Sequence, residues 1–492
     1  MGTDAHSVTL PATHDPQTAP SAGDAGMQQP AWYTPRRLMV FFCLITFLVY
    51  MDVGVIASNG VNGSMRTKDN PQGSGIQGDF NLSYFQDGVL PAVFMVGLMV
   101  ASIILTDLTA YFNAYRLIGA GMLVWALGAL GSGLSQGFWS LLVARVVVGA
   151  GEASTITLSF PFIDDVAPAA SKARWFGLLA VFPSVGVAIG YVYGGLVSGA
   201  LGWRACFLIE AGLAVPIILW TLFAPAVTLR SSLGVMRSAA TATGKDGWRQ
   251  RLGYSLRHLW GDLKVLHRHP VFLYNNWGNV PHQAAVGAFT YWGPKAAKEV
   301  FGKPSSQVDV AIAAVTITAA ILGTLGGGVL LDKLGSTIRN GMLINLASAT
   351  LALACCAVAF IVVQGFALFC VVFGLGLLVT FMAIAATYAI SMWSIPPPQR
   401  PASQAIMIVT MHLFGDVPSP PVVGAIQGAV HNWRLTLSVL SSVLVISVLL
   451  YIAGVHASKT ATDYRMQESE QEVTRGCDDV PRTDHQSMMN AC

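Results

Sequence analysis

The sequence predicts an all-α membrane protein of twelve transmembrane helices arranged as two parallel six-helix repeats. Three observations carry that expectation. Of 492 residues, 53% are hydrophobic and 11% charged, with a mean hydropathy of +0.57, whereas soluble domains carry about 25% charged residues. Mostly apolar segments of about 20 residues, long enough to cross a hydrocarbon core, recur twelve times. Landmarks of the first half return in the second at a nearly constant offset.

Residues 1–36 are rich in Pro, Ala, Gly, Ser, Thr and Gln without an apolar core, and so read as a disordered tail rather than a signal peptide. The apolar segments then lie near 37–58, 84–106, 116–135, 138–160, 174–197 and 203–224, and, after the longest break, near 271–293, 308–331, 339–363, 366–393, 402–427 and 433–456. The chain thus divides into an amino-terminal bundle (37–224), a linker (225–270), a carboxy-terminal bundle (271–456) and a tail (457–492). Within the linker Trp248, Leu252, Leu256, Leu259, Leu263 and Leu266 recur every three or four residues among basic ones. That spacing predicts an amphipathic helix, lying on the membrane surface or packed on the rim of the bundle.

An even number of spans puts both termini on one side, and the positive charges choose the side. Cytosolic termini give the inner segments twenty Lys and Arg against seven outside (Arg66, Lys68, Arg204, Lys295, Lys298, Lys303 and Arg434), with Arg145 left inside the membrane. The repeats are visible in Leu105-Thr-Asp107 followed by Arg116, answered by Leu330-Leu-Asp332-Lys333 followed by Arg339. Trp203-Arg204 is likewise answered by Trp433-Arg434. Two parallel repeats about a midplane site are the layout of major facilitator transporters.

The stretch Arg145-Val-Val-Val-Gly149-Ala-Gly-Glu152 sets a cation and an acid two helical turns apart, on one face. A charge at the bilayer centre costs about 2.5–3.5 kcal/mol even on the lenient insertion scale, so such residues face a protein interior or an aqueous path. Asp52 lies at similar depth in the first span. In the seventh span Asn275, Asn279 and His282 share a face, beside Asn276 and Gln283. They suit either a cavity wall or interhelical hydrogen bonding. His412, Asp416, Pro418, Pro420 and Pro421 interrupt the eleventh span and suit a hinge or gate. Gly186, Gly190, Gly194 and Gly195 in the fifth suit close helix packing. Glu210, about two turns from Arg204, reads as its partner near the membrane edge. Lys295, just past Pro294 at the outer mouth, reads either as an anchor for an anionic headgroup or as a solvated lysine.

Several chemistries are excluded. Gly133-Leu-Ser135-Gln-Gly137 matches a hydrolase pattern but falls between two spans, without the strand and turn that pattern needs. No metal-binding or nucleotide-binding motif is present, so the chain is expected to be no enzyme and to need no metal or cofactor. Cys43, Cys206, Cys355, Cys356 and Cys370 sit in apolar runs and Cys477 and Cys492 in the tail, so no structural disulfide is expected. A net charge of +3 gives no reason to expect nucleic acid as a partner. Asn62-Gly-Ser64 and Asn81-Leu-Ser83 fit glycosylation sites on the outer loop.

In combination, a set of stretches resembles the spinster-like branch of the major facilitator superfamily, in its plant and protist form. They are Tyr50-Met51-Asp52; Ile56-Ala-Ser-Asn59-Gly60-Val-Asn62-Gly63; Gly75-Ile-Gln-Gly78-Asp-Phe80-Asn81; Phe85-Gln-Asp87-Gly88; Val148-Gly149-Ala-Gly151-Glu152-Ala153-Ser154; Pro161-Phe-Ile-Asp164-Asp165; Tyr291-Trp292-Gly293-Pro294-Lys295; and Gly415-Asp416-Val-Pro418-Ser419-Pro420. The resemblance implies alternating-access transport of a lipid-like amphiphile such as a sphingolipid or lysophospholipid, driven by protons, by a monomer among membrane lipids, at endolysosomal membranes or the plasma membrane. It also implies that the first and fourth spans pack together. Asp52, Arg145 and Glu152 would then form a proton-coupling centre in which one carboxylate neutralises Arg145 while the other takes and releases a proton. Arg145, Asn275, Asn279, His282 and Lys295 become candidate substrate contacts, and Asp107, Asp332, His412, Asp416 and Pro418 candidate gating residues. Two positions depart from the family pattern. Val53 stands where an arginine is common, and the turn 107–116 carries one basic residue where several are usual. A transporter of sugars or small organic anions, and a transport-inactive sensor of the same fold, remain alternatives.

Overall fold

The computed structural model describes residues 33–68, 70–108, 112–167, 172–227, 268–396 and 399–464, together with Pro30 and Leu266. The expected linker helix and most of both tails lie outside these residues, as does the side chain of Asp107. The first group of helices comprises α1 (Pro35–Ala57), the short α2 (Asn59–Asn62) and α3 (Gly75–Phe80), α4 (Tyr84–Leu108), α5 (Ala114–Gly133), α6 (Phe138–Val166), α7 (Lys172–Leu201) and α8 (Trp203–Phe223). The second comprises α9 (Pro270–Phe301), α10 (Ser305–Lys333), α11 (Ile338–Ala357), α12 (Phe366–Trp393), α13 (Arg400–Met411), α14 (Ser419–Val430), α15 (Trp433–Ser442) and α16 (Leu444–Ala457).

Among the described residues, eleven helical stretches are long and apolar enough to cross a membrane. The twelfth expected span, 271–293, is α9, which at 32 residues is ample in length. It falls outside the eleven because Asn275, Asn276, Asn279, His282 and Gln283 dilute its apolar character. Large apolar side chains such as Val143, Leu196 and Leu325 face outward, as lipid contact requires.

Local signals set the helix ends. Pro35 opens α1, and the Thr34 hydroxyl accepts from Arg37 N at 3.3 Å. Gly302 stops α9 with φ +61°. The expected break in the eleventh span is a π-helical turn over His412–Asp416, closed by Val417 N donating to His412 O at 3.0 Å. It therefore falls one turn before the prolines, and Pro418 caps α14. A second π-turn, Val358–Val362, ends the α11 span.

One packing scheme occurs twice. In the first group α4 and α5 pack on α6, α5 on α8, and α1 on α7. In the second, α10 and α11 pack on α12, α11 on α16, and α9 on the α13–α14 span. The two groups meet through α7 against α10 and α14 against α4, contacts exchanged by the repeat. The α1–α7 seam is a backbone-to-backbone approach. A Cβ on Gly54 would lie 1.9 Å from Val187 O, and one on Gly190 would lie 2.2 Å from Met51 O.

Candidate functional site

Two polar assemblies are buried in the bundle. The first lies inside the amino-terminal helix group. Asp52 stands eighteen residues into α1, and Arg145 eight residues into α6. The Arg145 NH1 donates to Asp52 Oδ2 at 2.8 Å, and both side chains are 1% exposed. Ser132, near the end of α5, accepts from Arg145 Nε at 3.2 Å and NH2 at 2.8 Å, while the guanidinium lies over the Phe207 ring of α8, 4.9 Å from its centroid. Arg145 is thus held by three neighbouring helices.

Glu152 shares the Arg145 face, as the spacing predicts, and lies within electrostatic reach of both Asp52 and Arg145. It makes no ion pair with Arg145, and its buried Oε2 has no hydrogen-bond partner among the described residues. Glu210 was expected beside Arg204 at the membrane edge, and the structure corrects this. Arg204 pairs with Asp79 at 2.7 Å, and Asp79 also accepts from Trp203 Nε1. Glu210 points inward from α8 into the same cluster as Asp52 and Arg145, close enough to Asp52 for the two carboxyls to share a proton, and neither of its oxygens meets an N–H or hydroxyl donor among the described residues. One cation therefore faces three acids.

The second assembly joins the two helix groups at the end of the bundle opposite the termini, the distal end. Lys295 is neither solvated nor open to a headgroup here. It is 1% exposed, and its Nζ donates to Asn62 Oδ1 at 2.6 Å, to Gln77 Oε1, and to Asp87 Oδ2 at 3.4 Å. Tyr291 OH donates to Asp87 Oδ1 at 2.6 Å, and Asn62 Nδ2 to the same oxygen at 2.9 Å. Asn62 is thus consumed by this network, and its predicted glycosylation is blocked while the network holds. Asn81 remains exposed. Beside it Asn59 Nδ2 donates to Asp309 Oδ1 at 2.7 Å and to Pro294 O at 3.0 Å, and Tyr191 OH donates to Thr290 O at 2.7 Å. Backbone closes the remaining gap. A Cβ on Gly88 would lie 2.4 Å from Pro420 O, and one on Gly424 would lie 2.2 Å from Tyr84 O. Above it Tyr84 packs edge to face on both Trp292 and Trp433, whose rings lie tilted against each other. Every hydrogen bond between the two groups among the described residues lies at this end.

The other candidates fall elsewhere. Asn275 is fully buried, with Nδ2 donating to Thr387 O at 2.9 Å and Oδ1 accepting from Asn345 at 3.0 Å, so it ties α9 to α11 and α12 rather than lining a path. Asn279 donates to Met411 Sδ at 3.7 Å. His282 faces a small apolar cavity between α9, α11, α12 and α16, lined by Phe289, Phe373 and Thr380, with Nδ1 lacking a hydrogen-bond partner among the described residues. Asp416 Oδ2 contacts His412 Nδ1 at 2.6 Å across the π-turn and accepts from Gln283 Nε2 at 3.2 Å. Asp332 is exposed and accepts from Ser336 of its own turn at 3.0 Å, so it fixes that turn and bridges no helix groups here.

Some of these residues were visible in the sequence. Asn59, Asn62, Gln77 and Asp87 lie in the stretches that carried the resemblance. Ser132, Glu210 and Asp309 were missed as members of these assemblies. A lone acid in an apolar run, the signal that singled out Asp52, marks Glu210 and Asp309 equally well.

The Major Facilitator Superfamily model matches residues 42–417. Among curated proteins the chain is similar to the probable sphingolipid transporter spinster homolog 2 of Arabidopsis thaliana, at 38% identity over 91% of this chain and 92% of that one. It is similar also to homolog 3 from the same plant, at 39% identity over 86% and 85%. The human protein spinster homolog 1 is 26% identical over 83% of this chain and 76% of its own. Among solved structures, a bacterial homolog to the human lysosomal transporter Spinster, described as inward-facing and unoccupied, superposes with a TM-score of 0.69. It covers 87% of this chain and 98% of the other at 17% identity, a likeness of fold.

Proposed function

The chain belongs to the spinster branch of the Major Facilitator Superfamily, a family of secondary transporters, and we propose that it moves a lipid-like amphiphile across the membrane by proton-coupled alternating access. The relatives named as probable sphingolipid transporters support the substrate class. The observation that carries the coupling is the unequal treatment of the acids around Arg145: Asp52 holds the guanidinium at 2.8 Å, while Glu152 Oε2 is buried without a donor among the described residues.

A buried carboxylate without a donor is costly, and a proton removes the cost. In this reading Glu152 takes up the proton, Asp52 is the anion that parks Arg145, and a phosphate or carboxylate headgroup competes with Asp52 for the guanidinium. Deprotonation of Glu152 supplies a second anion for Arg145 and displaces the headgroup, which links proton and substrate. Glu210 adds a further acid to the same balance. Closure of the distal end by cross-group hydrogen bonds supports an inward-facing state. The Lys and Arg bias places that terminal end in the cytosol.

The test is uptake into liposomes of purified protein under an imposed pH gradient, with labelled lysophospholipid, sphingosine, a sugar and a small organic anion compared. Gradient-dependent accumulation of an amphiphile, lost in Glu152→Gln while exchange persists, is expected. Accumulation of the sugar or the organic anion instead would overturn the substrate class. Amphiphile binding without accumulation would overturn transport in favour of sensing.

A further inference from the structure

We propose that Asp309 is a second proton-binding site, built into the distal seam rather than the midplane, which takes up one proton as α7 and α10 close on each other and returns it to the distal compartment when they part. Asp309 lies five residues into α10 and is 1% exposed. Its Oδ1 accepts twice from Asn59, from the backbone N at 3.3 Å and from Nδ2 at 2.7 Å. Its Oδ2 has no hydrogen-bond partner among the described residues. That oxygen lies against Gly195 of α7, only 2.8 Å from where a Cβ would stand, so closure shuts water away from it. The small residue at 195 is what lets the carboxyl be enclosed.

The neighbours supply no full counter-charge. From α2 comes the neutral Asn59. From α7 comes Tyr191, whose hydroxyl donates to Thr290 O. From α9 comes Lys298, near enough for a long-range attraction but in no ion pair with Asp309 among the described residues. The other lysine of that helix end, Lys295, is engaged with Asp87. The contrast with Asp87 is informative, because that acid, equally buried in the same seam, has a lysine and a tyrosine hydroxyl on it. A charge closed into a seam without a partner is expensive, and a proton neutralises it.

Of the elements around Asp309, α2 and α7 belong to the other helix group and part from it when the distal end opens, while α9 stays beside α10. The site thus meets water only from the distal side, and only in the open state. The linkage sign follows. The closed seam binds the proton more tightly than the open one, so acid in the distal compartment favours closure and alkali favours opening. This proposal uses the alternation of the fold but none of the substrate or Glu152 chemistry above.

The experiment measures the seam directly, without substrate. Spin labels at Gly199→Cys, where an added side chain meets open space, and at the exposed Lys303→Cys report the α7–α10 separation by double electron–electron resonance in nanodiscs between pH 5 and 8, in a cysteine-replaced background. In the parent the closed-to-open ratio should rise as pH falls, by up to about tenfold per pH unit for a single site. Asp309→Asn should stay closed across the range. Asn59→Ala, which removes the seam bonds to Asp309 and Pro294 O, should lower the closed population at every pH while keeping its rise towards acid. An unchanged response in Asp309→Asn would overturn the proposal. If Asp309→Asn fails to fold, a closed-to-open ratio that does not rise towards acid in the parent and in Asn59→Ala would overturn it.

Discussion

Lys295 of α9 and Asp87 of α4 form an ion pair at 3.4 Å across the seam between the two helix groups, with both side chains sealed from solvent. Removing one partner of a buried pair leaves the other uncompensated and costs about 3–5 kcal/mol, whereas removing both together costs much less. Lys295→Met and Asp87→Asn should each favour distal opening and lower the melting temperature. The double variant should recover much of the loss, and a double-mutant cycle on thermal melting checks this. Strict additivity would mean that the two charges act separately.

Arg145 is held at once by Asp52, Ser132 and the Phe207 ring. A lysine cannot serve both oxygens in the same plane. Arg145→Lys should therefore reduce gradient-driven uptake by at least tenfold although the charge is kept. Ser132→Ala removes a hydrogen-bond acceptor of the charged group, worth about 1.5–3 kcal/mol. It should lower stability while leaving some uptake, both measured on the same preparation.

Gly54 and Gly212 make a matched pair. Gly54→Ala drives a methyl into Val187 O on α7 and should cost 1–3 kcal/mol or more, seen as lost expression and early melting. Gly212→Ala meets nothing within 4 Å and should be neutral or stabilising by up to about 1 kcal/mol from helix propensity.

Asn275→Leu tests the reassignment of that residue from cavity wall to interhelical tie. It breaks the bonds to Thr387 and Asn345, each worth about 0.6 kcal/mol in a membrane. Melting should move down by a few degrees with the half-saturating substrate concentration unchanged. A severalfold change in that concentration would return Asn275 to the path.

The fold was legible because span length and the recurrence of Asp107 and Asp332, or Arg204 and Arg434, are properties of the chain read in one dimension. The pairing of Asp52 with Arg145 could be anticipated because both are charges at one depth and the resemblance supplied the neighbouring helices. Which face of each helix meets which neighbour was not legible. Lipid and protein neighbour are equally apolar, so a membrane helix has no periodic stripe to mark its buried side. Glu210 was therefore assigned to the nearest cation in sequence, Arg204, when its helix turns it towards Arg145 instead. Lys295 was placed at the mouth because its socket is assembled from Asn62, Gln77 and Asp87, more than 200 residues away. The linear count included α9 but could not choose between cavity wall and interhelical tie for Asn275, whose bonds are made only after packing.

The distal seam is closed largely by amides, carboxyls, an ammonium and a phenol. When it parts, water can offer Asn59, Asn62, Gln77, Asp87 and Lys295 a replacement for each contact they lose. The net loss per hydrogen bond is then about 0.5–1.5 kcal/mol rather than its full strength. An apolar seal of similar extent would forfeit about 25 cal/mol for every Å² wetted, with nothing returned by the solvent. A seam written in polar side chains is specific in register yet shallow in energy. That suits a door which must open and shut repeatedly on small differences in free energy.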